Sequence, residues 1–225
     1  MFEVESGFGK GKTMAITLTW LGHASFRIVA GETVIYIDPW KLKSPARDAD
    51  FILVSHSHFD HYSAPDIKAI SKAGTQVIGS ADVIKPYGGG KVITPGQTLD
   101  LGRLTLTGVP AYNPAKPFHP QANHWLGFVI AIDGKRIYYA GDTDATAEMK
   151  ALEDIELALL PVGGTYTMNA AEAAEAVNTF KPARAVPYHW GDIVGDEADA
   201  KKFAQLSRAP TTILAPGQSL TLASP

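Results

Sequence analysis

Residues 51–63 read FILVSHSHFDHYS and are the most informative segment of this sequence. The run FILVS (51–55) is predominantly apolar and β-branched, which is typical of a strand buried on both faces of a sheet. Polar side chains follow the run without a break. Loops at strand ends are where a rigid scaffold presents functional groups. The stretch therefore predicts a central strand that carries a functional site at its end.

The residues after this strand are of the types that bind metal ions: His56, His58, Asp60 and His61. In an extended segment the first two histidines point to the same side, so both can reach one ion. The turn that follows can direct Asp60 and His61 toward a second ion. Imidazole and carboxylate ligands together suit zinc, manganese or iron better than calcium.

Composition excludes several other chemistries. The 225 residues include seven histidines and no cysteine, so a disulfide framework, a cysteine zinc site, an iron–sulfur cluster and a cysteine nucleophile are all excluded. The hydrophobic fraction of 45% and the charged fraction of 19% are typical of a globular protein. The net charge of −3, without a basic stripe, predicts neither a nucleic-acid partner nor a membrane surface.

The N-terminal sequence MFEVESGFGKGKTMAIT has no apolar core of the kind found in secretory signals, so we expect a cytoplasmic protein. Residues 1–13 are expected to be a flexible extension, and translation could start at Met1 or at Met14. Residues 14–225 are expected to form one domain, because no linker or low-complexity segment divides them.

Helix signals occur at three places. Ser63 is placed to cap a helix that begins at Ala64 and ends at Gly74. Asn169 and Glu172 form a capping-box pattern for a helix that Pro182 stops. A charged helix is expected from about Asp196 to Ser207. The triplet 88–90, which is all glycine, is interpreted as a flexible turn without a helix start.

Strand patterns fill most of the remaining chain. They occur at 16–20, 26–28, 33–39, 104–112, 125–132, 135–142, 155–162 and 183–190, with two closing strands at TTILA (211–215) and SLTLA (219–223). Asp133-Gly134 predicts a hairpin, so the strands at 104–112, 125–132 and 135–142 should be antiparallel. The related segments TPGQTLDL (94–101) and APGQSLTL (215–222) suggest two similar halves, each a sheet with helices on its outer face.

The stretch SHSHFDHYS carries the HxHxDH signature and resembles the metallo-β-lactamase superfamily. The resemblance extends to WLGHASFRI, IDPW, PAYNPAKPFHP, YYAGDTD, LPVGGTYTM and VPYHWG, and so covers residues from about 16 to 220. It is strongest to small, largely uncharacterised metal-dependent hydrolases of that superfamily. It implies an α/β (α+β) fold, a four-layer αββα sandwich of two mixed sheets with a dinuclear metal site at the sheet edges.

The resemblance also implies a ligand set. The first metal site would take His56, His58 and a third histidine, and the second would take Asp60, His61 and His189, with Asp142 bridging both ions. Many relatives have the third histidine where this chain has Asn113. His119 is the favoured substitute because flanking prolines fix its backbone, His124 is second, and the Asn113 amide oxygen is a weaker third.

Other residues are expected to assist. His23 of LGHAS could orient a ligand, donate to a leaving group or contact substrate, and Asp38 of IDPW is expected to accept a hydrogen bond from a metal-binding imidazole. Lys116, Asn113 and Tyr166 lie on loops that should flank the mouth of the site, where they are candidate substrate contacts.

These features predict a metal-dependent hydrolase in which a hydroxide bridging two divalent ions attacks an ester-like bond, whether phosphodiester, lactone or amide. Asp60 and His23 are the candidate catalytic residues. Zinc is the favoured metal, with manganese, nickel or iron as alternatives, and the partner is a small-molecule substrate; a homo-oligomer is compatible with the sequence. Two other functions stay open: a non-catalytic metal-binding or sensor protein, and a di-iron oxidoreductase on the same fold.

Overall fold

The structure is a computed structural model that describes residues 15–223. The predicted flexible extension 1–13 and the alternative start at Met14 lie outside the described residues.

Thirteen strands and five helices are found in the described part of the chain. The strands are β1 (Ile16–Gly22), β2 (Ser25–Ala30), β3 (Thr33–Ile37), β4 (Ala49–Val54), β5 (Ser71–Gly79), β6 (Lys91–Val92), β7 (Thr98–Asp100), β8 (Thr105–Pro110), β9 (Leu126–Ile132), β10 (Lys135–Tyr139), β11 (Leu157–Pro161), β12 (Arg184–Tyr188) and β13 (Ser219–Leu222). The helices are α1 (Ala64–Ile70), α2 (Ala81–Tyr87), α3 (Ala147–Lys150), α4 (Ala170–Phe180) and α5 (Glu197–Leu206).

The first sheet has seven strands in the order β13-β1-β2-β3-β4-β5-β6. Strand β4 pairs in parallel with β3 on one side and with β5 on the other. All of its residues except Asp50 are buried. The prediction of a central strand buried on both faces is confirmed, and the HxHxDH segment begins where this strand ends.

The second sheet has six strands in the order β12-β11-β10-β9-β8-β7. Strands β7 to β10 pair antiparallel as predicted, whereas β10, β11 and β12 run parallel. Asp133 and Gly134 join β9 to β10 with φ values of 47° and 75°. Two successive positive φ angles define the hairpin turn that an Asp-Gly pair favours, so this turn is as predicted.

The two sheets pack face to face and carry helices on their outer faces. One buried apolar cluster contains inward-facing side chains of both sheets, among them Phe26, Leu53, Phe128 and Tyr139. A second cluster joins α3, α4 and α5 to the outer face of the six-stranded sheet, and a third joins α1 and α2 to the outer face of the other. The predicted αββα sandwich is confirmed.

The two similar Pro-Gly-Gln segments form equivalent turns at the sheet edges. In each, the glutamine Oε1 accepts the backbone N–H three residues earlier: Gln97 from Thr94 at 3.1 Å, and Gln218 from Ala215 at 2.9 Å. Strand β7 follows one turn and β13 follows the other, and both are edge strands. The prediction of two related halves therefore has a structural counterpart.

Two local predictions are wrong, and one helix was not predicted. Helix α1 ends at Ile70 rather than Gly74, because the Ser71 N–H and Oγ both donate to the carbonyl of Ile67 and β5 starts there. The segment 211–215 forms only an isolated bridge from Thr211 to Ala185, since the next donor along β12 in this ladder would be residue 187, and Pro187 has no N–H. Helix α2 was not expected before the glycine triplet, yet it forms in spite of Pro86 and ends at Gly88 with φ of 79°.

None of the helices within residues 15–223 has the length and apolar character needed to cross a membrane.

Candidate metal centre

The chemistry-bearing side chains follow strand ends along one rim of the sandwich. His23 follows β1, Asp38 follows β3, His56 comes two residues after β4, Asp142 three after β10, and His189 directly after β12. Both sheets thus contribute to the same cluster. The ends of these five strands therefore lie together in the fold.

Three of these residues have left-handed backbone conformations, with φ of 48° at His23, 43° at Asp38 and 62° at His189. Asp and His tolerate this region better than most residues, but it still costs about 1–3 kcal/mol at each position. The kink occurs where each strand stops, which turns the side chain away from the pleat. Their side chains are all buried, so three strained backbone positions carry side chains into the site.

One group of ligand-type atoms consists of His56, His58 and His119, whose nitrogens lie within 4.8 Å of one another. His119 is therefore the histidine that the fold brings to the pair. Asn113 instead supports His119. Its Oδ1 accepts a hydrogen bond from the backbone N–H of His119 at 3.0 Å and contacts the His119 Nδ1 at 2.7 Å. His124 is exposed and lies outside the group.

A second group consists of His23, Asp60, His61 and His189, again with one ligand atom from each within 4.8 Å of the others. The His23 Nε2 lies 3.0 Å from Asp60 Oδ2, and the His23 ring packs on the His189 ring at 4.2 Å between centroids. His23 therefore belongs to this group of ligand-type side chains, whereas the sequence predicted only an assisting role for it.

Asp142 lies between the two groups. Its Oδ2 is 3.3 Å from His119 Nε2 and 3.2 Å from His189 Nε2, while its Oδ1 is 3.2 Å from His61 Nε2. The side chain is 3% exposed. One carboxylate therefore faces imidazoles of both groups, which is the placement that a bridging ligand requires.

The donor atoms fit metal ions. Buried Nε2 atoms of His56, His61, His119 and His189 lack hydrogen-bond partners, as does the Asp142 Oδ1, and unpartnered buried polar atoms are costly in the absence of a ligand. The opposite nitrogens of three of these rings are occupied, that of His119 by Asn113 Oδ1. His61 Nδ1 donates to Asp38 Oδ2 at 2.7 Å, as expected of Asp38, and His56 Nδ1 donates to Ser55 Oγ at 2.8 Å.

Those bonds set the tautomer. The Ser55 hydroxyl donates to Asp38 Oδ2 at 2.6 Å, so it can only accept from His56. In its neutral form each ring then carries its proton on Nδ1 and directs the Nε2 lone pair into the cluster. Outer hydrogen bonds of this kind orient metal-binding histidines and raise their basicity.

Electrostatics favour an ionised Asp142 beside a neutral His56 and a protonated His61. Burial and the neighbouring His61 lower the pKa of His56 well below its usual range. Burial opposes ionisation of Asp142, but His189 and His61 hold the pKa of that carboxyl well below its usual range. Burial likewise opposes protonation of His61, but Asp142 and Asp38 raise its pKa well above the ordinary value. Metal binding would therefore displace a proton from His61.

The packing of Trp125 against the first group was not predicted. The Trp125 ring packs against His56 at 4.8 Å and His58 at 4.7 Å between centroids. Its Nε1 donates to Asp82 Oδ2 at 2.7 Å, and the same oxygen accepts from Ser57 Oγ at 2.6 Å. Asp82 lies in the first turn of α2, the helix that sequence analysis missed, so no sequence signal linked it to the site.

An open cleft of about 540 Å³ leads to the cluster. Of the three predicted substrate contacts, Tyr166 lines it. Lys116 does not, because its Nζ is held by Asp144 Oδ1 and by the carbonyl of Thr167, both at 2.6 Å. Asn113 is turned toward His119. The expected cation at the mouth is therefore engaged elsewhere, and Lys116 and Asn113 have structural partners instead of facing a substrate.

Replacing Asn113 with alanine is expected to weaken metal binding at the first group by about 10–100-fold, because His119 loses the acceptor that orients its ring. Competition with a chromophoric zinc chelator measures this. Asn123→Ala, an exposed position in the same loop, is the control and should leave the affinity unchanged. Equal affinities of the two variants would show that His119 needs no such support.

A four-layer sandwich with clustered histidines and aspartates at the rim of its sheets defines the metallo-β-lactamase class of proteins. The family described as beta-lactamase superfamily domain matches residues 17–189. The UPF0173 metal-dependent hydrolase of Thermococcus onnurineus is 32% identical, over 92% of this chain and 100% of the relative. That of Pyrococcus furiosus is 34% identical with the same coverage. The chain belongs to the UPF0173 metal-dependent hydrolase family.

A solved structure agrees with this assignment. A metallo hydrolase of the hyperthermophilic archaeon Ignicoccus hospitalis is 26% identical and aligns with a TM-score of 0.75, covering 93% of this chain and 99% of that chain.

Proposed function

We propose that this metal-dependent hydrolase holds two divalent ions, preferably zinc, and cleaves an ester-like bond of a small molecule in the cytoplasm. The observation that carries the proposal is the position of Asp142, whose two carboxylate oxygens face His119 of one group and His61 and His189 of the other. A single shared carboxylate supports a pair of ions held side by side.

The ligands would divide as the two groups do. His56, His58 and His119 would hold one ion, and Asp60, His61 and His189 the other, with Asp142 shared. A ligand set of imidazole and carboxylate suits zinc, and manganese, nickel and iron are compatible with it. Ions held there would activate water for attack at neutral pH, so no side-chain nucleophile is required.

Two further roles are proposed, one for Asp60 and one for His23. Asp60 lines the cleft, so one of its oxygens can orient a water molecule and accept its proton. His23 is 3% exposed and does not line the cleft. Burial lowers the pKa of His23 although Asp60 opposes this, and a neutral ring with its proton on Nε2 donates to Asp60. His23 is thus a positioning residue for Asp60.

Removing and restoring metal tests the function. The chelator-treated protein is expected to be inactive, and zinc, added alone, should restore turnover at about two equivalents. Activity should appear in one reaction class among bis(4-nitrophenyl) phosphate, a γ-lactone and a 4-nitroanilide. Manganese, nickel and iron(II) are compared in parallel with zinc.

Two results would contradict the proposal. Tight binding of ions without turnover in any class would favour a metal-binding or sensor protein. Consumption of dioxygen by the iron-loaded form, with no hydrolysis, would favour a di-iron oxidoreductase.

A further inference from the structure

Large exposed apolar side chains collect at the cleft. Six are exposed within residues 15–223, and four of them line the cleft: Phe59 (69% exposed), Phe118 (38%), Tyr166 (36%) and Ile193 (39%). Scattered exposed apolar residues are ordinary, but a contiguous set at a concave site indicates a binding surface. These side chains share the cleft with His58, Asp60, His119, Asp142 and His189.

Three of the four apolar residues pack against aromatic neighbours. The Phe118 and Tyr166 rings meet edge to face with centroids 4.8 Å apart, and Phe59 packs edge-on against Trp40 at 5.9 Å. Both are favourable aromatic arrangements. Surfaces ordered in advance lose less conformational entropy on binding, so they contribute more to affinity.

The cleft also lacks fixed positive charge. Of the described residues that line it, none is Lys or Arg, and Lys116 is paired with Asp144. Sites that bind nucleic acids and phosphorylated compounds commonly use such side chains. Any positive charge in the cleft would come from bound ions at its floor, and the walls above them are apolar.

Resting on the proposed function, we infer that the substrate carries an uncharged aromatic or branched apolar group next to the bond that is cleaved. The group would lie against Phe118 and Tyr166 while the bond faces Asp60 and Asp142. A cleft of about 540 Å³ is within the range that holds a small organic molecule. Polyanionic substrates are disfavoured.

Three hydroxamic acids test the inference by calorimetric binding to the zinc-loaded protein. Acetohydroxamic, phenylacetohydroxamic and succinic monohydroxamic acid present the same chelating group with a methyl, an aromatic and an anionic substituent. The aromatic compound is expected to bind about tenfold tighter than the methyl compound, or better. The anionic compound should bind no tighter than the methyl compound.

Alanine variants test which side chains give the aromatic compound its higher affinity. Phe118→Ala and Tyr166→Ala should each reduce the advantage of the aromatic compound by several-fold and leave the affinity for acetohydroxamic acid unchanged. Leu206→Ala is the matched control, since Leu206 is 46% exposed and lies at the end of α5, outside the cleft. It should change none of the three affinities.

Equal affinities for all three compounds, or a preference for the anionic one, would overturn the inference and leave the metal centre intact. Failure of every hydroxamic acid to bind the zinc-loaded protein would overturn the metal centre and the inference together. A dimer that Phe118→Ala dissociates, with unchanged hydroxamic acid binding, would assign the apolar residues to a contact between copies and also overturn it.

Discussion

Asp60→Asn is expected to lower kcat by about 10³-fold or more while the protein stays folded. The substitution keeps the size of the side chain, and an amide oxygen still accepts the hydrogen bond from His23 Nε2, which lies 3.0 Å from Asp60 Oδ2. It removes the negative charge and the capacity to accept a proton. Positioned general bases contribute about 10²–10⁴-fold, and the lost ligand charge adds to that loss.

The measurement needs kcat, metal content and thermal unfolding on the same preparation. Asp133→Asn is the control, because Asn-Gly forms the same hairpin turn as Asp-Gly and the position lies at the tip joining β9 to β10. It should leave all three quantities unchanged. An Asp60→Asn variant that retained both ions and turned over within tenfold of the parent would show that this carboxylate takes no part in the chemistry.

The HxHxDH segment and its strand could be predicted because the information is local. Continuous apolar character from Phe51 to Val54 indicates burial on both faces, and the polar residues follow directly. The capping box at Asn169 and Glu172 is equally local, and it forms with Asn169 Oδ1 accepting from the Glu172 N–H at 3.1 Å and Glu172 Oε2 from the Asn169 N–H at 2.9 Å.

The choice between His119, Asn113 and His124 could not be made from spacing. It depends on the path of the loop from 111 to 125, which closes on itself through bonds between Asn113 and His119. The backbone N–H of Asn113 donates to the carbonyl of His119 at 2.9 Å, and that carbonyl lies six residues ahead. Such a closure depends on the conformation of the whole loop, so residue types alone leave all three candidates open.

The apolar cleft could not be predicted from the sequence for a related reason. Its walls come from four separate loops, which carry Phe59, Phe118, Tyr166 and Ile193. Each residue alone is an ordinary loop side chain, and only the relative position of the two sheets brings them together. Lys116 shows the converse, because a loop lysine predicted to face the substrate is instead neutralised by Asp144.

Asp38→Ala is expected to lower the free energy of unfolding of the metal-free protein by about 3–5 kcal/mol. Asp38 is fully buried and accepts four hydrogen bonds. The Ser55 N–H donates to Oδ1 at 2.7 Å, and the Ser55 hydroxyl, the His61 Nδ1 and the Tyr139 hydroxyl donate to Oδ2 at 2.6, 2.7 and 2.6 Å. Alanine leaves these donors buried without an acceptor, at about 1–3 kcal/mol for each one that finds no substitute.

Two further effects act in the same direction. Alanine tolerates the φ of 43° at this position less well than aspartate does. The charge that pairs with His61 is also lost, and breaking a buried ion pair by removing one partner costs about 3–5 kcal/mol. Since the individual contributions overlap in one network, they do not add in full, which keeps the expected total near the cost of the broken pair.

Urea unfolding in the presence of a chelator measures this stability without metal ions. Tyr139→Phe removes one of the four bonds and adds no cavity, so it should cost only about 1 kcal/mol. Asp192→Ala, the control, removes an exposed ion pair with Lys41, and it should cost less than about 1 kcal/mol. A loss at Asp38 no larger than that at Tyr139 would mean that the network supports metal binding but not folding, because the four donors would then find other partners.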